Sequence, residues 1–141
     1  MRTSHLEAQQ IREAFEEIGP PPADIEWATP WAAAVIDSGP GWSTSSTLWY
    51  RRVCNREQLE IRASLVRAIG IPIQASIPVT TLPIGFRPAD SHGIPVYATA
   101  FADQGIVEVG MLILNPAGIV IARSLSLVLG QIIGTVTLPL T

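Results

Sequence analysis

The stretch Gln58-Leu59-Glu60-Ile61-Arg62-Ala63-Ser64-Leu65-Val66-Arg67 decides the fold. Leu59, Ile61, Ala63 and Leu65 fall on one side of a strict alternation, and Glu60, Arg62 and Ser64 on the other. Successive side chains of a strand point to opposite faces. A period of two running from Glu57 to Arg67 therefore describes a half-buried β-strand.

The pattern continues outward from it. Upstream, Leu48 to Cys54 is aromatic and β-branched, and Ala32 to Ile36 is apolar and ends at the turn cluster Asp37-Ser38-Gly39-Pro40-Gly41. Downstream, Ile77 to Leu82 is interrupted by Pro78, which cannot donate to a ladder and so places this strand at a sheet edge. Ile94 to Ala102 and Ile106 to Leu114 follow, joined through a turn at Asp103-Gln104-Gly105. Asn115-Pro116-Ala117-Gly118 turns the chain into a return strand that begins at Ile119 to Ala122. Leu125 to Leu129 and Ile132 to Leu138 close the chain and are apolar on both faces. In a small antiparallel domain such segments imply cover from elsewhere, for which a neighbouring subunit is the simplest source. About eight short strands with regular turn signals predict a mainly β protein, an antiparallel, jelly-roll-like β-sandwich.

The first thirty residues have a different character. Ser4 and Glu7 match a capping box, and Ala8, Ile11, Phe15 and Ile18 then recur on one stripe of a short α-helix spanning residues 4 to 18. Gly19 suits a helix end, and Pro20, Pro21 and Pro22 form a stiff spacer. A helix this short is marginal alone, so the stripe must pack on something. The expected organisation is a leader over residues 1–30, serving attachment and oligomerisation, followed by a β domain over residues 31–141.

Composition narrows the function. Of 141 residues, 48% are hydrophobic and only 15% charged, against about 25% charged in ordinary soluble domains. So apolar a chain would have difficulty covering its surface as a monomer, and assembly with its own copies hides the excess. The net charge of −3 argues against a nucleic-acid partner. No apolar run is long enough to span a bilayer, because the longest, Ile106 to Ile121, is broken by Glu108, Gly110, Asn115, Pro116 and Gly118. The start of the chain has no signal-peptide pattern, which points to synthesis and assembly in a cytoplasm. All nine basic residues are Arg, a bias of the kind a GC-rich coding sequence produces.

Catalytic constellations are scarce. The single cysteine, Cys54, follows Val53 in an apolar run and behaves as a small hydrophobe, and His5 and His92 are the only imidazoles. Asp90-Ser91-His92 contains the residue types of a catalytic triad, yet triads converge from separate elements, so a polar turn is the expected role. No set of His and Cys has metal-ligand spacing, and no Gly-rich phosphate loop precedes a helix. The chain is expected to be no enzyme and to need no cofactor. Trp27, Trp31, Trp42, Trp49 and Tyr50 crowd into one stretch. A core or a protein interface is their expected use, with a glycan platform as the alternative.

Several motifs in order carry a resemblance. These are Trp31, Gly41-Trp42, Tyr50-Arg51-Arg52-Val53, Gln58-Leu59-Glu60-Ile61-Arg62, Thr81-Leu82-Pro83-Ile84-Gly85-Phe86-Arg87-Pro88 and Asn115-Pro116-Ala117-Gly118. The chain resembles the small β-sandwich domain at the ends of tail fibres and receptor-binding proteins of long-tailed bacteriophages, over about residues 31 to 138, and the run from Leu82 to Pro88 is the most specific element. Unlike the fibre tips of that family, this chain has its own start and leader, and so looks like a separate virion component. The resemblance implies a homotrimer in the virion, tail-associated and of the minor tail protein kind. It further implies attachment to other virion proteins through the leader and adhesion to a host cell-surface glycan. A capsid decoration or head-fibre protein is the alternative. Within the motif, Leu82, Pro83, Gly85, Phe86, Arg87 and Pro88 are expected to act as a conformational lock. Phe86 would plug the end of the domain and Arg87 would pair with a carboxylate or carbonyl.

Overall fold

A computed structural model describes residues 27–53 and 57–140. The stripe Ala8, Ile11, Phe15 and Ile18, His5 and Cys54 all lie outside the described residues. Eight strands follow one another: β1 (Ala32–Ala33), β2 (Thr47–Val53), β3 (Gln58–Ile71), β4 (Ser76–Thr81), β5 (His92–Ala100), β6 (Val107–Leu114), β7 (Ile119–Arg123) and β8 (Leu129–Pro139). Every pairing is antiparallel. The strands do not divide into the two sheets of the expected sandwich. They form one continuous sheet in the order β1-β2-β3-β8-β5-β6-β7-β4, curled into a half-barrel around its own core.

The strand that opened the sequence reading behaves as its alternation requires. Leu59, Ile61, Ala63 and Leu65 are buried inside the curl, and Glu60, Arg62 and Ser64 line the outer face. The final segment departs from expectation. Leu125 to Val128 form a loop, and only Leu129 begins a strand. That strand, β8, is inserted between β3 and β5. Its inward residues Ile132, Val136 and Leu138 meet Leu65, Ile61 and Leu59 in register. The segment Ala32 to Ile36 is likewise a strand only at Ala32–Ala33.

The curl brings the two sheet edges together. β4 is an edge strand, as Pro78 demands, and its register slips between Pro78 and Thr80. Its outward carbonyls are taken by the chain that follows β1. Asp37 N–H donates to Val79 O at 2.8 Å, and Trp42 Nε1–H donates to Pro78 O at 2.7 Å. In return Thr80 Oγ1 donates to Val35 O at 2.6 Å. Ala34, one residue away, donates to Leu48 O of β2 at 2.8 Å. One short segment thus bonds to both sides of the seam, and the exposed edge that would invite aggregation is occupied.

The barrel has two distinct ends. At the proximal end the backbone of Ala28 and Thr29, within the segment assigned to the leader, pairs with β2 at Val53 and Arg52. Leu140 donates to Glu57 O at this end too. Both limits of the described chain therefore sit at one end. The distal end carries the β3–β4, β5–β6 and β7–β8 loops, with the β5–β6 turn closed by Ile106 N–H to Asp103 O.

Leu65 is fully buried opposite Ile132. Replacing it with Ala removes apolar burial and leaves a cavity, so Leu65→Ala should lower unfolding free energy by about 2–5 kcal/mol. Urea denaturation followed by tryptophan fluorescence measures the difference.

Candidate functional site

The most specific sequence motif caps the proximal end. Leu82 N–H donates to Gly118 O at 2.8 Å, which fastens the segment after β4 to the β6–β7 turn. Pro83 and Phe86 close a turn through Phe86 N–H to Pro83 O at 3.1 Å, with Gly85 between them at φ +103°. That backbone region favours glycine. Arg87 Nε–H donates to Leu82 O at 2.9 Å, so its partner is a carbonyl. The Phe86 ring meets Tyr50 edge-on at 4.9 Å and packs against the core, with the Arg52 guanidinium 5.9 Å from its centroid. Leu82 is buried, whereas Ile84 faces solvent. Pro88 leads into Ala89, whose N–H donates to Leu140 O. The motif thus holds together the β4 end, the β6–β7 turn and the end of the described chain.

Beside the cap lies an open cleft of about 460 Å³, lined by Ala33, Val35, Asp37, Tyr50, Thr80 and Arg87 among others. It follows the seam between the sheet edges. Its polar groups are mostly engaged in closing that seam, as the hydrogen bonds of Thr80 and Arg87 show.

A second constellation stands on the outer face of β2 and β3. Arg51 and Glu60 are opposite one another in register, and Arg51 Nη2 donates to both carboxylate oxygens at 3.2 and 3.4 Å. The Trp31 ring lies over the Arg51 guanidinium at 4.3 Å. Trp49 and Arg62 form the next outward pair. Their side chains are unequally covered: Arg51 is 8% exposed and Glu60 20%. Arg51 Nε and Nη1, Arg62 Nε and Trp31 Nε1 are buried and have no hydrogen-bond partner among the described residues. A guanidinium in this setting is held by charge pairing and by the indole face, with donor capacity left over.

The five clustered aromatics are therefore not one platform. Trp42 and Tyr50 belong to the core, Trp31 and Trp49 to the outer face, and Trp27 is exposed. Strand parity separates Trp49 from Tyr50. Sequence reasoning missed the Arg51–Glu60 pair, although a signal was present. β2 and β3 are consecutive and antiparallel across a short connection, which sets Arg51 against Glu60. Asp90 and Ser91 are exposed beside His92 at the start of β5, an ordinary polar turn. Among the described residues no group of three or more His, Cys, Asp or Glu side chains gathers as a metal site, and no helix is long and apolar enough to cross a membrane.

No protein-family profile matches the chain, and no curated protein does. A solved structure does match. The half-barrel is similar to the head domain of the lactococcal phage bIL170, whose crystal structure was described under the question of a common fold for the receptor-binding domains of lactococcal phages. The TM-score is 0.59 at 17% identity, and the match covers 79% of this chain and 98% of that domain. The likeness is one of fold.

Gly118 carries φ +83°, and a Cβ there would stand 2.7 Å from both Leu82 O and Arg87 Nε. Gly118→Ala should therefore cost on the order of 1–3 kcal/mol, from strain and from displacing the cap. Gly39 has nothing near its Cβ position, and Gly39→Ala should change stability by no more than about 0.5 kcal/mol. Thermal unfolding of the two variants beside wild type tests the contrast.

Proposed function

We propose that this chain is a structural protein of a bacteriophage virion, tail-associated and of the minor tail or tail-fibre kind, that adheres to the host surface and performs no catalysis. The observation that carries the reading is the fold likeness, which spans nearly the whole of a phage receptor-binding head domain. The order of sequence motifs from Trp31 to Gly118 supports it independently. In this reading the leader, with Ala8, Ile11, Phe15 and Ile18, attaches the protein to other virion proteins, and the half-barrel projects. Copies assemble as a homo-oligomer, a trimer by the resemblance.

The surface proposed to meet host glycan is the outer face of β2 and β3. Indole faces at Trp31 and Trp49 suit the apolar faces of sugar rings, and the partly exposed Glu60 and Arg62 side chains beside them suit hydroxyl substituents.

Two measurements test this function. Antibody labelling of intact particles should place the protein on the tail, and label confined to the head would move it to capsid decoration. Purified protein should bind host cells and compete with phage adsorption, and Trp49→Ala should weaken that binding about tenfold, a loss near 1.4 kcal/mol. Unimpaired adsorption in the presence of saturating protein would sink the adhesion role.

A further inference from the structure

The exposed apolar side chains are unevenly placed. On the outer face of the distal half, Tyr97 of β5 and Val109 of β6 are opposite each other in register, 52% and 47% exposed. Beyond them the loops of the distal rim carry Ile69 at 70% and Phe101 at 46%, with Leu125, Leu127 and Val128 also exposed. The rim loops touch one another. Phe101 N–H donates to Val128 O at 2.8 Å, and a Cβ on Gly70 would meet both the Phe101 ring and Val128 within 3.0 Å. Tyr97 and Phe101 lie on the same outward side of the chain, with the buried pair Thr99 and Val107 between wall and rim.

The outward rows of β5 and β6 carry no charge: they hold Pro95, Tyr97, Val109, Met111 and Ile113, with Thr99 and Val107 buried among them. Charge lies at their margins, where Arg123 of β7 stands opposite Met111, the Arg67 guanidinium donates to Gly70 O, and the Asp103 carboxylate accepts from Gly105 N–H within its turn. The outer face of β2 and β3, by contrast, carries the Arg51–Glu60 pair, with Arg51 buried, and Arg62. At these exposures the seven apolar side chains present on the order of 700 Å², close to the roughly 800 Å² that one partner contributes to a standard interface. Patches on monomers are typically about 300–600 Å².

We infer that this distal wall and rim, centred on Tyr97, Val109 and Phe101, form the surface on which a second copy of this chain packs side by side. The inference rests on the homo-oligomeric reading given under the proposed function. The choice of occupant follows from the position of the chain's ends. Residues 1–26 join the barrel at Trp27, at the proximal end, and Leu140 leaves it there. β3, at about 3.3 Å per residue, sets the distal rim on the order of 40 Å away. Copies held by their leaders at one end stand parallel, with their long walls facing one another. The wall of β5 and β6, whose own outward side chains carry no charge, and the apolar rim beyond it are the parts that such neighbours bury, and the charged face of β2 and β3 stays outward.

The test uses the full-length chain in size-exclusion chromatography with light scattering. Wild type should run as a multimer, and Val109→Glu and Tyr97→Glu should shift it to the monomer mass or raise its dissociation constant at least 100-fold. Far-UV circular dichroism should stay unchanged, because both side chains are half-exposed. Ile84→Glu, at a more exposed apolar site of the proximal cap, should keep the wild-type mass. As a second measurement that needs no charge insertion, Val109→Cys in a Cys54→Ser background should cross-link copies with a short bis-maleimide. A multimeric wild type whose mass survives both glutamate variants, with no cross-link, overturns the inference and leaves the oligomeric reading intact. A monomeric wild type overturns that reading and the inference with it. Co-flotation with phosphatidylcholine vesicles, abolished by Val109→Glu while the multimer persists, would assign the wall to lipid instead. A cross-link from Val109→Cys to Ala8→Cys within a single chain would assign it to the leader stripe. Either result overturns the inference.

Discussion

The structure depends on the pairing of β3 with β8. These strands come from opposite halves of the chain, and they lie side by side from Gln58–Pro139 to Val66–Gln131 in unbroken register. Each brings an inward row of aliphatic side chains to the same core. Because β8 also pairs with β5, it joins the β1-β2-β3 half of the sheet to the β5-β6-β7-β4 half. Without the last strand there are two small meanders, each with a bare edge and half a core. Contacts so distant in sequence carry a large loop-closure cost, which places this fold among the slower-folding topologies.

Local features of this architecture were legible, and non-local ones were not. The alternation from Leu59 to Leu65 named both the strand and its buried face, because half-burial writes itself into the sequence with period two. Pro78 named an edge, because a missing N–H is tolerated in few other places. Asn115 and Gly118 named a turn, and the turn forms with Asn115 Oδ1 accepting from Ile119 N–H. The two-sheet expectation failed for a reason equally physical. Whether eight antiparallel strands split into two sheets or curl as one depends on which edges meet. That in turn depends on bonds such as Asp37 N–H to Val79 O, which no local pattern announces. The final segment is less uniformly apolar than it reads: β8 alternates inward Ile132, Val136 and Leu138 with outward Gln131, Thr135 and Thr137, while Leu125 and Leu127 belong to an exposed loop.

The candidate sites show the same division. The segment from Leu82 to Pro88 stood out in the sequence because its prolines and glycine constrain the backbone independently of context. Its partners, Gly118 O for Leu82 N–H and Tyr50 for Phe86, come from β6–β7 and β2 and were invisible. The aromatic cluster misled for the opposite reason. Proximity in sequence suggested one surface, but adjacent residues of a strand face opposite ways, and Trp49 and Tyr50 are adjacent.

The curled sheet also explains how a chain with so little charge can fold as one unit. A single sheet closed on its seam buries one face of every strand inside and satisfies its own edges, and outward residues such as Val53, Thr99, Val107 and Ile133 are buried as well. The remaining outer face holds two unlike territories. One, on β2 and β3, is built of indole, guanidinium and carboxylate. The other, on β5 and β6, is almost wholly aliphatic and aromatic. Their segregation around one barrel follows from strand order, because β8 stands between the β2–β3 pair and the β5–β6 pair and keeps their outward rows apart.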